Sequence, residues 1–383
     1  MVKCLREGEI MNFIATCAFG IEAVLKREML ALGFTITKST NGKIYFEGDQ
    51  ETLFLANLHL RTADRIYILI GEDTVKTYDQ LFDFISKLSL NKYLSTVGKY
   101  HVLAKSVKSK LYSLRDIQTI SKKAIIENLR KATHQEVFKE LGEYYRISIE
   151  LLNDRVECLL DTSGDALHKR GYRLKQGTAP LKETLASALV QLSFYQEDRV
   201  LYDPFCGSGT LAIEAAMIAK NIAPGLNRDF AFLSFPWIDK KHFLAIKKAA
   251  YQAIKQNVKG KIIASDNDLN VLSIAKENAL EAGVEDIIDF SFIDFNDHPF
   301  DTEYAIIITN PPYGERLETK EDAEVLYRNM GETFKKLKTY SVYLITSYPG
   351  VEGLLHRKAD RTRVLFNGKI KTRYYQYYGP KPI

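Results

Sequence analysis

The sequence predicts a mixed α/β protein in which an α+β region precedes a mostly parallel sheet with an antiparallel closing strand. Three observations lead to this prediction. From about residue 180, helical and strand-like segments alternate regularly. Several strand-like segments there, such as AIIIT at 305–309, are apolar almost throughout, which is typical of a parallel sheet covered on both faces. The first 165 residues instead mix strands and helices without alternation, as α+β domains do.

The first region combines strand-like runs with amphipathic helices. A helix over IEAVLKREMLALG is predicted to end at Gly33, and the pairs Asn41-Gly42 and Asn153-Asp154 each separate two strand-like runs and predict hairpins. Further strands are predicted at NFIATC, DRIYILI and YHVLAKSV, and further helices at YDQLFDFISKL and RDIQTISKKAIIENLRKA. We expect two small sheets with helices packed on them.

The second region alternates helices and strands until its last two strands. Its strand-like runs are RVLYDPF, KIIASD, IIDFSFID, YAIIITN and YSVYLITSY. Its helical runs are LKETLASALVQLS, TLAIEAAMIAK, NVLSIAKENALEAG and EDAEVLYRNMGETFKKL. Gly283 is predicted to end the third of these helices. Asn367-Gly368 joins two strand-like runs and predicts the antiparallel closing hairpin.

Length and composition are those of a globular cytoplasmic protein. A chain of 383 residues predicts two or three domains, and 46% hydrophobic with 26% charged residues is ordinary for that class. The charged opening MVKCLREGEI does not resemble a signal peptide, and no apolar run is long enough to span a bilayer. The net charge of +5 permits a polyanionic partner without requiring one.

Cysteine and histidine spacing predicts neither disulfide bonds nor a bound metal. The four cysteines are Cys4, Cys17, Cys158 and Cys206, and they form no C-x-x-C pair. The histidines His101, His134 and His168 have no ligand spacing with a carboxylate or a cysteine, so we expect structural or surface roles. Cys206 is predicted to be a loop residue near a cofactor rather than a nucleophile. The sequence assigns no role to Trp237.

A glycine-rich loop follows the first strand of the second region. This candidate cofactor loop, DPFCGSGT, consists of Asp203, Pro204, Phe205, Cys206, Gly207, Ser208, Gly209 and Thr210 and opens directly into a helix. Backbone N–H groups at such a helix start face a ligand. The spacing of Gly207, Gly209 and Ala212 also satisfies the dinucleotide fingerprint, a weak signal on its own.

Acidic residues favour a cationic cofactor over a dinucleotide. Asp203, at the strand tip, would repel a pyrophosphate but attract the ammonium and sulfonium groups of S-adenosylmethionine. The next strand ends in Asp266, 57 residues after Gly209, whereas a dinucleotide fold places its ribose-binding acid about 20 residues on. Asp266, followed by Asn267, is predicted to accept the ribose hydroxyls.

Two further strand ends complete the candidate crevice. Asp294 is predicted to accept from the adenine amine, Phe295 to form an apolar wall for the adenine ring, and Asn310 to lie at the tip of a fourth strand. Ligands of open α/β sheets bind outside the carboxyl ends of the strands. The alternative for Asp266 or Asp294 singly is a helix cap or turn, and Asp268 is predicted to cap the second helix.

The stretch TNPPYG at 309–314 is the candidate catalytic motif. Pro311 and Pro312 stiffen the loop, and Asn310 is held extended by the proline that follows it. The Asn310 side-chain carbonyl and the Pro311 backbone carbonyl would then be two fixed acceptors for an exocyclic amine, with Tyr313 stacking on the base. Alternatively, the motif is a loop that simply ends a strand.

Two basic runs are candidate RNA contacts. The first contains Lys105, Lys108, Lys110, Arg115, Lys122 and Lys123, and the second contains Lys169, Arg170 and Arg173. Two such clusters favour phosphate contact, although a solvated charged face is the commoner explanation for either one.

Four longer strings, together with the acidic strand ends, resemble the THUMP-domain RNA guanine-N2 methyltransferases. They are LHKRGYR at 167–173, APLKETLASAL at 179–189, NIAPGLNRDFAF at 221–232 and NPPYGERL at 310–317. The resemblance implies a ferredoxin-like segment at 12–60, a THUMP RNA-binding domain at 61–165 and a Rossmann-like class I methyltransferase domain at 166–383. Some bacterial relatives carry a second methyltransferase domain, for which this chain has no room.

The resemblance also implies a cofactor, a substrate and roles for individual residues. The cofactor would be S-adenosylmethionine, with S-adenosylhomocysteine as product, and the substrate a guanine N2 amine, most simply in bacterial 23S ribosomal RNA. Transfer RNA is the substrate of archaeal and eukaryotic relatives and stays open. Adenine N6 and protein glutamine also stay open as substrates, because enzymes that methylate them share the NPPY motif. A further alternative is a THUMP RNA-binding protein that has lost methyltransferase activity.

Overall fold

The computed structural model describes residues 8–135, 138, 140–173, 181–312 and 320–381. They form two compact units. Unit 1 contains the described residues of 1–16, 28–167 and 228–248, and unit 2 those of 17–27, 168–227 and 249–383. Both units are therefore built from separated stretches of chain, whereas the sequence predicted three contiguous domains. The boundaries at 60 and 165 stay a prediction.

Unit 1 is built on a single seven-stranded sheet. Its strands are β1 (Met11–Thr16), β2 (Thr35–Thr40), β3 (Lys43–Gly48), β4 (Arg65–Thr74), β5 (Lys99–Val107), β6 (Tyr144–Leu152) and β7 (Arg155–Asp161), in the order β2-β3-β1-β4-β7-β6-β5. The prediction of two small sheets was wrong. The reason is β4, which pairs with β1 at Phe13↔Ile68 and with β7 at Tyr67↔Asp161 and so joins the two halves.

The helices and turns of this region follow the local sequence signals. The helices are α1 (Glu22–Ala31), α2 (Gln50–His59), α3 (Tyr78–Lys87) and α4 (Leu114–Thr133). Gly33 has a φ of +78° after α1, and Gly42 has a φ of +72° between β2 and β3, where glycine is the residue that tolerates this conformation. Asn153 and Asp154 also have positive φ, as the predicted turn between β6 and β7 requires.

Unit 2 is built on a second seven-stranded sheet. Its strands are β8 (Leu201–Asp203), β9 (Ile262–Asp266), β10 (Ile288–Phe292), β11 (Ile306–Thr309), β12 (Ser341–Thr346), β13 (Arg361–Asn367) and β14 (Ile370–Tyr377), in the order β10-β9-β8-β11-β12-β14-β13. The first five strands pair in parallel, and β14 lies antiparallel between β12 and β13. This confirms the predicted Rossmann-like sheet with an antiparallel closing hairpin.

The helices of the second half of the chain alternate with these strands. They are α5 (Glu183–Leu192), α6 (Thr210–Ala219), α7 (Lys240–Gln252), α8 (Leu269–Glu281), α9 (Lys320–Lys336) and α10 (Val351–Leu354). Asp268 caps α8 by accepting a hydrogen bond from the Asn270 amide, and Gly283 follows its end with a φ of +67°, as predicted. Within the described ranges, no helix combines the length and apolarity needed to cross a membrane.

The segment 228–248 belongs to unit 1, and this explains where Trp237 lies. The indole ring is 5% exposed, and its Nε1–H donates to the backbone carbonyl of Tyr93 at 3.0 Å. It packs on the rings of Phe235 and Tyr93, and Phe235 in turn stacks on Tyr145 of β6. Trp237 is therefore a core residue of unit 1.

Candidate functional site

Three adjacent strands of unit 2 end at one edge of the sheet. Asp203, the last residue of β8, pairs with Ala264 of β9, and Tyr202 pairs with Ile307 of β11. Asp266 ends β9, and Asn310 directly follows β11. Since parallel strands present their carboxyl ends at a common edge, the tertiary structure brings these three predicted site residues together.

The glycine loop is folded against the end of β9. The Cys206 amide donates to the Ser265 carbonyl at 2.9 Å, and the Gly207 amide donates to Oδ2 of Asp266 at 2.8 Å. Gly209 begins α6 with a φ of +83°, and a Cβ on it would lie 3.1 Å from the Cβ of Ala275. A larger residue there would be strained, so the loop needs glycine for both conformation and close packing.

Asp203 is a buried carboxyl group without a good partner. Its residue is 1% exposed, and neither carboxylate oxygen has a well-aligned hydrogen-bond donor among the described residues. Burial, and secondly repulsion by Asp266, raise the pKa of Asp203 well above its usual range, and the nearby Phe205 amide offsets this only in part. A buried carboxylate in this condition is stabilised by a cation.

Asp266 has the structural role that its sequence left open, and its ribose-binding role stays a prediction. Its Oδ2 holds the Gly207 amide and its Oδ1 accepts from the Asp268 amide at 3.2 Å, so the carboxylate shapes the loop. Burial raises the pKa of Asp266, while these amides lower it. Each carboxylate oxygen has a second lone pair, so acceptance of ribose hydroxyls remains chemically available.

Asp294 and its neighbours form a turn at the end of β10. Asp294 accepts from the Asn296 amide at 3.0 Å, which is the capping arrangement, and its Oδ2 accepts from the Asn267 side chain at 3.1 Å. Phe295 was predicted to form a wall for an adenine ring. Its ring is instead buried, 2% exposed, and stacks at 5.3 Å beneath the half-buried ring of Phe205. Of these two stacked rings, that of Phe205 is the more exposed.

The described part of the NPPY motif ends at Pro312. Oδ1 of Asn310 is buried and has no hydrogen-bond partner among the described residues, while Pro311 is buried and Pro312 half-buried. Tyr313 lies outside the described residues, so its predicted stacking role stays a prediction. The unpartnered amide oxygen of Asn310 is an acceptor at the same sheet edge as Asp203.

Sequence reasoning missed two polar residues at this edge. Ser265, beside Asp266, and Thr309, beside Asn310, are fully buried, and the hydroxyl of each has no hydrogen-bond partner in the described part of the chain. The signal that indicates them is a polar residue at the end of an otherwise apolar strand, IIASD or IIIT. With Asp203 and Asn310 they concentrate unsatisfied polar atoms where three strands end.

This arrangement fits the cofactor that the sequence predicted. S-adenosylmethionine offers an ammonium and a sulfonium, which match the buried carboxylate of Asp203, and ribose hydroxyls, which match the carboxylate of Asp266. Cys206 does not fit a nucleophile, because burial and the two neighbouring aspartates raise the pKa of its thiol well above the usual range.

The first basic run lies mostly on the surface of unit 1. Lys105, on β5, and Lys108, Lys110, Arg115 and Lys123, on the following loop and α4, are exposed. Lys122 is half-buried and forms an ion pair with Glu140 at 2.9 Å. Sequence reasoning did not single out Tyr112, which is 82% exposed in the middle of this run and adds a ring that a base can stack on.

The second basic run is largely structural, which corrects the prediction of RNA contact for Arg170 and Arg173. Arg170 is 3% exposed and its Nε lies 3.4 Å from Oε1 of Glu214 on α6. Arg173 donates to the Thr210 hydroxyl at 2.6 Å and forms an ion pair with Glu183. Both guanidinium groups are used inside unit 2, because the buried carboxylates of Glu214 on α6 and Glu183 on α5 need cationic partners. Lys169 is exposed.

Comparison with known proteins identifies related families for both ends of the chain. Residues 170–376 match the family described as UPF0020, RMKL-like methyltransferase domain, and residues 12–67 match the RlmL ferredoxin-like domain.

Individual relatives agree with this assignment. YpsC of Bacillus subtilis (strain 168), provisionally named an RNA methyltransferase, is 46% identical over 96% of both chains. The ribosomal RNA large subunit methyltransferase K/L of Aliivibrio fischeri (strain MJ11) is 32% identical over 94% of this chain, which spans only 52% of that relative. The crystal structure of SMU.472, provisionally named a methyltransferase and complexed with S-adenosylhomocysteine, is 41% identical, with a TM-score of 0.93 over 98% of this chain and 100% of that one.

Proposed function

The chain belongs to the RMKL-like methyltransferase-domain family, and we propose that it methylates the exocyclic N2 amine of a guanine in 23S ribosomal RNA. Its cofactor is S-adenosylmethionine, in keeping with the fold and with the S-adenosylhomocysteine complex of the similar structure. Because the chain spans about half of the K/L relatives, their substrate supports this proposal only by similarity.

The unpartnered Oδ1 of Asn310 is the observation that carries the proposal. It lies at the sheet edge that also holds Asp203 and Asp266. A hydrogen-bond acceptor for an amine is therefore at the same edge as the proposed binding site of the methyl donor. An exocyclic amine that donates to Asn310 and to the Pro311 carbonyl would be held in one direction for in-line attack. When bound, the cofactor supplies the electrophilic methyl group.

These residues would act by positioning rather than by acid–base chemistry. The guanine nitrogen forms the new N–C bond, the S–C bond breaks with its electron pair on sulfur, and the amine then loses a proton to solvent. The methylated amine is cationic before this loss and is a strong acid, so its deprotonation needs no strong base. The target base must leave its stack to reach the crevice, which costs a few kcal/mol for a paired base.

In this proposal the exposed basic run of unit 1 contacts the phosphates of the substrate. Lys105, Lys108, Lys110 and Arg115 lie within 11 residues of one another around the exposed Tyr112. Cations that flank an aromatic ring bind single-stranded segments through backbone charge and stacking. We also propose that the protein acts in the cytoplasm, where it would meet its RNA substrate.

The test uses RNA from cells that lack the gene. Purified protein and S-adenosylmethionine are incubated with separated ribosomal and transfer RNA, which are then digested to nucleosides and analysed by mass. We expect N2-methylguanosine in the 23S fraction. N6-methyladenosine would instead establish the adenine alternative, N2-methylguanosine in transfer RNA alone would change the substrate, and RNA binding without any methylated nucleoside would favour a non-catalytic RNA-binding protein.

A further inference from the structure

A cavity of about 630 Å³ opens at the carboxyl end of β12 in unit 2. Its wall is formed by the loop after that strand, residues 346–353, and by Lys371, Thr372, Arg373 and Tyr375 of β14. A cavity of this volume is large enough for a nucleotide. None of the residues predicted from the sequence to bind cofactor or RNA lines it.

The cavity lies beside the proposed amine-binding position. Thr309 of β11 pairs with Leu344 of β12, and Thr346, two residues further along β12, pairs with Arg373. Adjacent strands are about 4.8 Å apart, so Asn310 and the cavity wall on β14 are separated by roughly 10 Å. The acidic tips of β8 and β9 lie on the opposite side of β11. With the cofactor at those tips, the side of Asn310 that is left for the RNA strand is the side toward β12.

The cavity wall carries two cations. Lys371 and Arg373 occupy alternate positions of β14 and therefore project from the same face of the sheet as Tyr375. Both are exposed, and neither forms an ion pair with any residue within the described ranges. One carboxylate, that of Glu352, also lines the cavity, and its Oε1 accepts from the Ala359 amide at 2.8 Å. The wall thus has a net positive charge.

An aromatic ring is fixed at the same wall. The ring of Tyr348 contacts that of Tyr327 at 5.3 Å and 30°. The Tyr348 amide donates to the Thr346 hydroxyl at 3.0 Å, and that hydroxyl lies 2.7 Å from the Tyr327 hydroxyl. These contacts hold Tyr348 in place next to the cations. Two cations and an aromatic ring are the side-chain chemistry that holds single-stranded nucleic acid.

We propose that this cavity binds the nucleotide adjacent to the target base in the RNA strand. Lys371 and Arg373 contact its phosphate, and Tyr348 stacks on its base. The assignment rests on the proposed function, since it places the neighbouring nucleotide about two strands away from Asn310. It predicts that the cavity governs RNA affinity and has no part in cofactor binding.

The test uses a double variant that carries both Lys371→Ala and Arg373→Ala. Its control is the single variant Arg361→Ala. Arg361 is exposed on the neighbouring strand β13 and lies outside the cavity. Initial rates are measured against RNA from cells that lack the gene. For the double variant we expect a KM about tenfold higher, and a salt dependence of log KM weaker by about 1 to 2 in slope. Its kcat and its S-adenosylhomocysteine affinity should match those of the control.

A second pair of variants tests the ring. Tyr348→Phe retains the ring and should keep the KM of the unmodified protein, whereas Tyr348→Leu should raise it. A double variant with the KM and salt slope of Arg361→Ala would overturn the cavity assignment and leave the proposed function standing. If the unmodified protein transferred no methyl group to any RNA, the proposed function would fail and the cavity assignment with it.

Discussion

The side-chain oxygens of Asp203 and Asn310 are buried and have no well-aligned hydrogen-bond donor among the described residues, an arrangement that folding alone does not favour. An unsatisfied buried polar group costs about 1–3 kcal/mol, and a charged one costs more. Where such groups cluster at one edge of a sheet, a bound ligand can supply the missing partners. Asp203 matches a cation and Asn310 matches an amine, which are the two partners that methyl transfer to a nucleobase brings together.

Asp203→Asn should stabilise the ligand-free protein and abolish cofactor binding. The raised pKa of Asp203 means that the folded state holds the proton more tightly than the unfolded chain does. Stability therefore falls as pH rises from the unfolded pKa through the folded pKa. At mildly alkaline pH we expect the melting temperature of the variant to rise by a few degrees and the shift caused by S-adenosylhomocysteine to vanish.

The exposed Asp297→Asn is the matched control for this measurement. It should change neither the melting temperature nor the shift caused by S-adenosylhomocysteine. A normal shift in Asp203→Asn would remove Asp203 from the cofactor site.

Asn310→Ala should separate binding from transfer. The change removes the proposed acceptor for the amine but leaves Asp203 and Asp266 in place. We expect the S-adenosylhomocysteine affinity, measured by calorimetry, to stay within about twofold, and kcat to fall at least a hundredfold, the scale seen for loss of one preorganised hydrogen bond. Asp266→Ala is the converse control, since it should weaken cofactor binding. Transfer at the normal rate would exclude Asn310 from the mechanism.

At the level of elements, the cofactor loop depends on a buried polar network behind it. Glu214 on α6 is fully buried and interacts with Arg170, with the hydroxyl of Tyr172 at 3.2 Å and with the hydroxyl of Ser187 on α5. Arg173 reaches Thr210, the first residue of α6. The stretch 170–173 is thus anchored to the helix that the glycine loop opens into.

Arg170→Ala should destabilise the protein because it leaves Glu214 buried without its cation. Loss of one partner of a buried ion pair costs about 3–5 kcal/mol. Denaturant unfolding measures this loss. Lys276→Ala, at an exposed position of α8, should change stability by less than about 0.5 kcal/mol. If Arg170→Ala unfolded like Lys276→Ala but raised the KM for RNA, the structural role assigned to Arg170 would be wrong.

At the level of the whole molecule, the chain exchanges segments between its two units. Residues 228–248 follow α6 of unit 2 in sequence and belong to unit 1, while 17–27 lie between stretches of unit 1 and belong to unit 2. In segment 228–248, Phe230, Phe232 and Phe243 form ring contacts with one another, and Phe54 of α2 contacts two of them. The fold of unit 1 therefore depends on residues distant in sequence.

Trp237→Ala should loosen unit 1. It removes a buried ring and leaves the Tyr93 carbonyl without its donor, for which a loss of about 3–5 kcal/mol is typical. Hydrogen exchange of β6 amides should quicken, while that of β9 in unit 2 changes less. Trp237→Phe keeps a ring and should have a smaller effect. Tyr251 is 48% exposed, so Tyr251→Ala should have almost no effect. Unchanged exchange in β6 would contradict the core role of Trp237.

Local patterns along the chain were sufficient for much of the fold and part of the site. Asn41-Gly42, Asn153-Asp154 and Asn367-Gly368 predicted hairpins correctly because a turn depends on the backbone preferences of its own residues. Continuous apolar runs predicted the parallel strands, and the strand ends predicted where Asp203, Asp266 and Asn310 meet. Those signals act over a few residues and need no knowledge of distant partners.

Long-range packing decided the rest. Contacts between residues far apart in sequence determine that unit 1 has one sheet instead of two and that it includes 228–248. Such contacts also bury Arg170 against Glu214 and place Phe295 beneath Phe205. The sequence around a charged or aromatic residue looks the same whether its side chain faces solvent or a partner in the fold. Only the folded chain determines which of its polar atoms remain unpaired and which of those atoms lie together at one sheet edge.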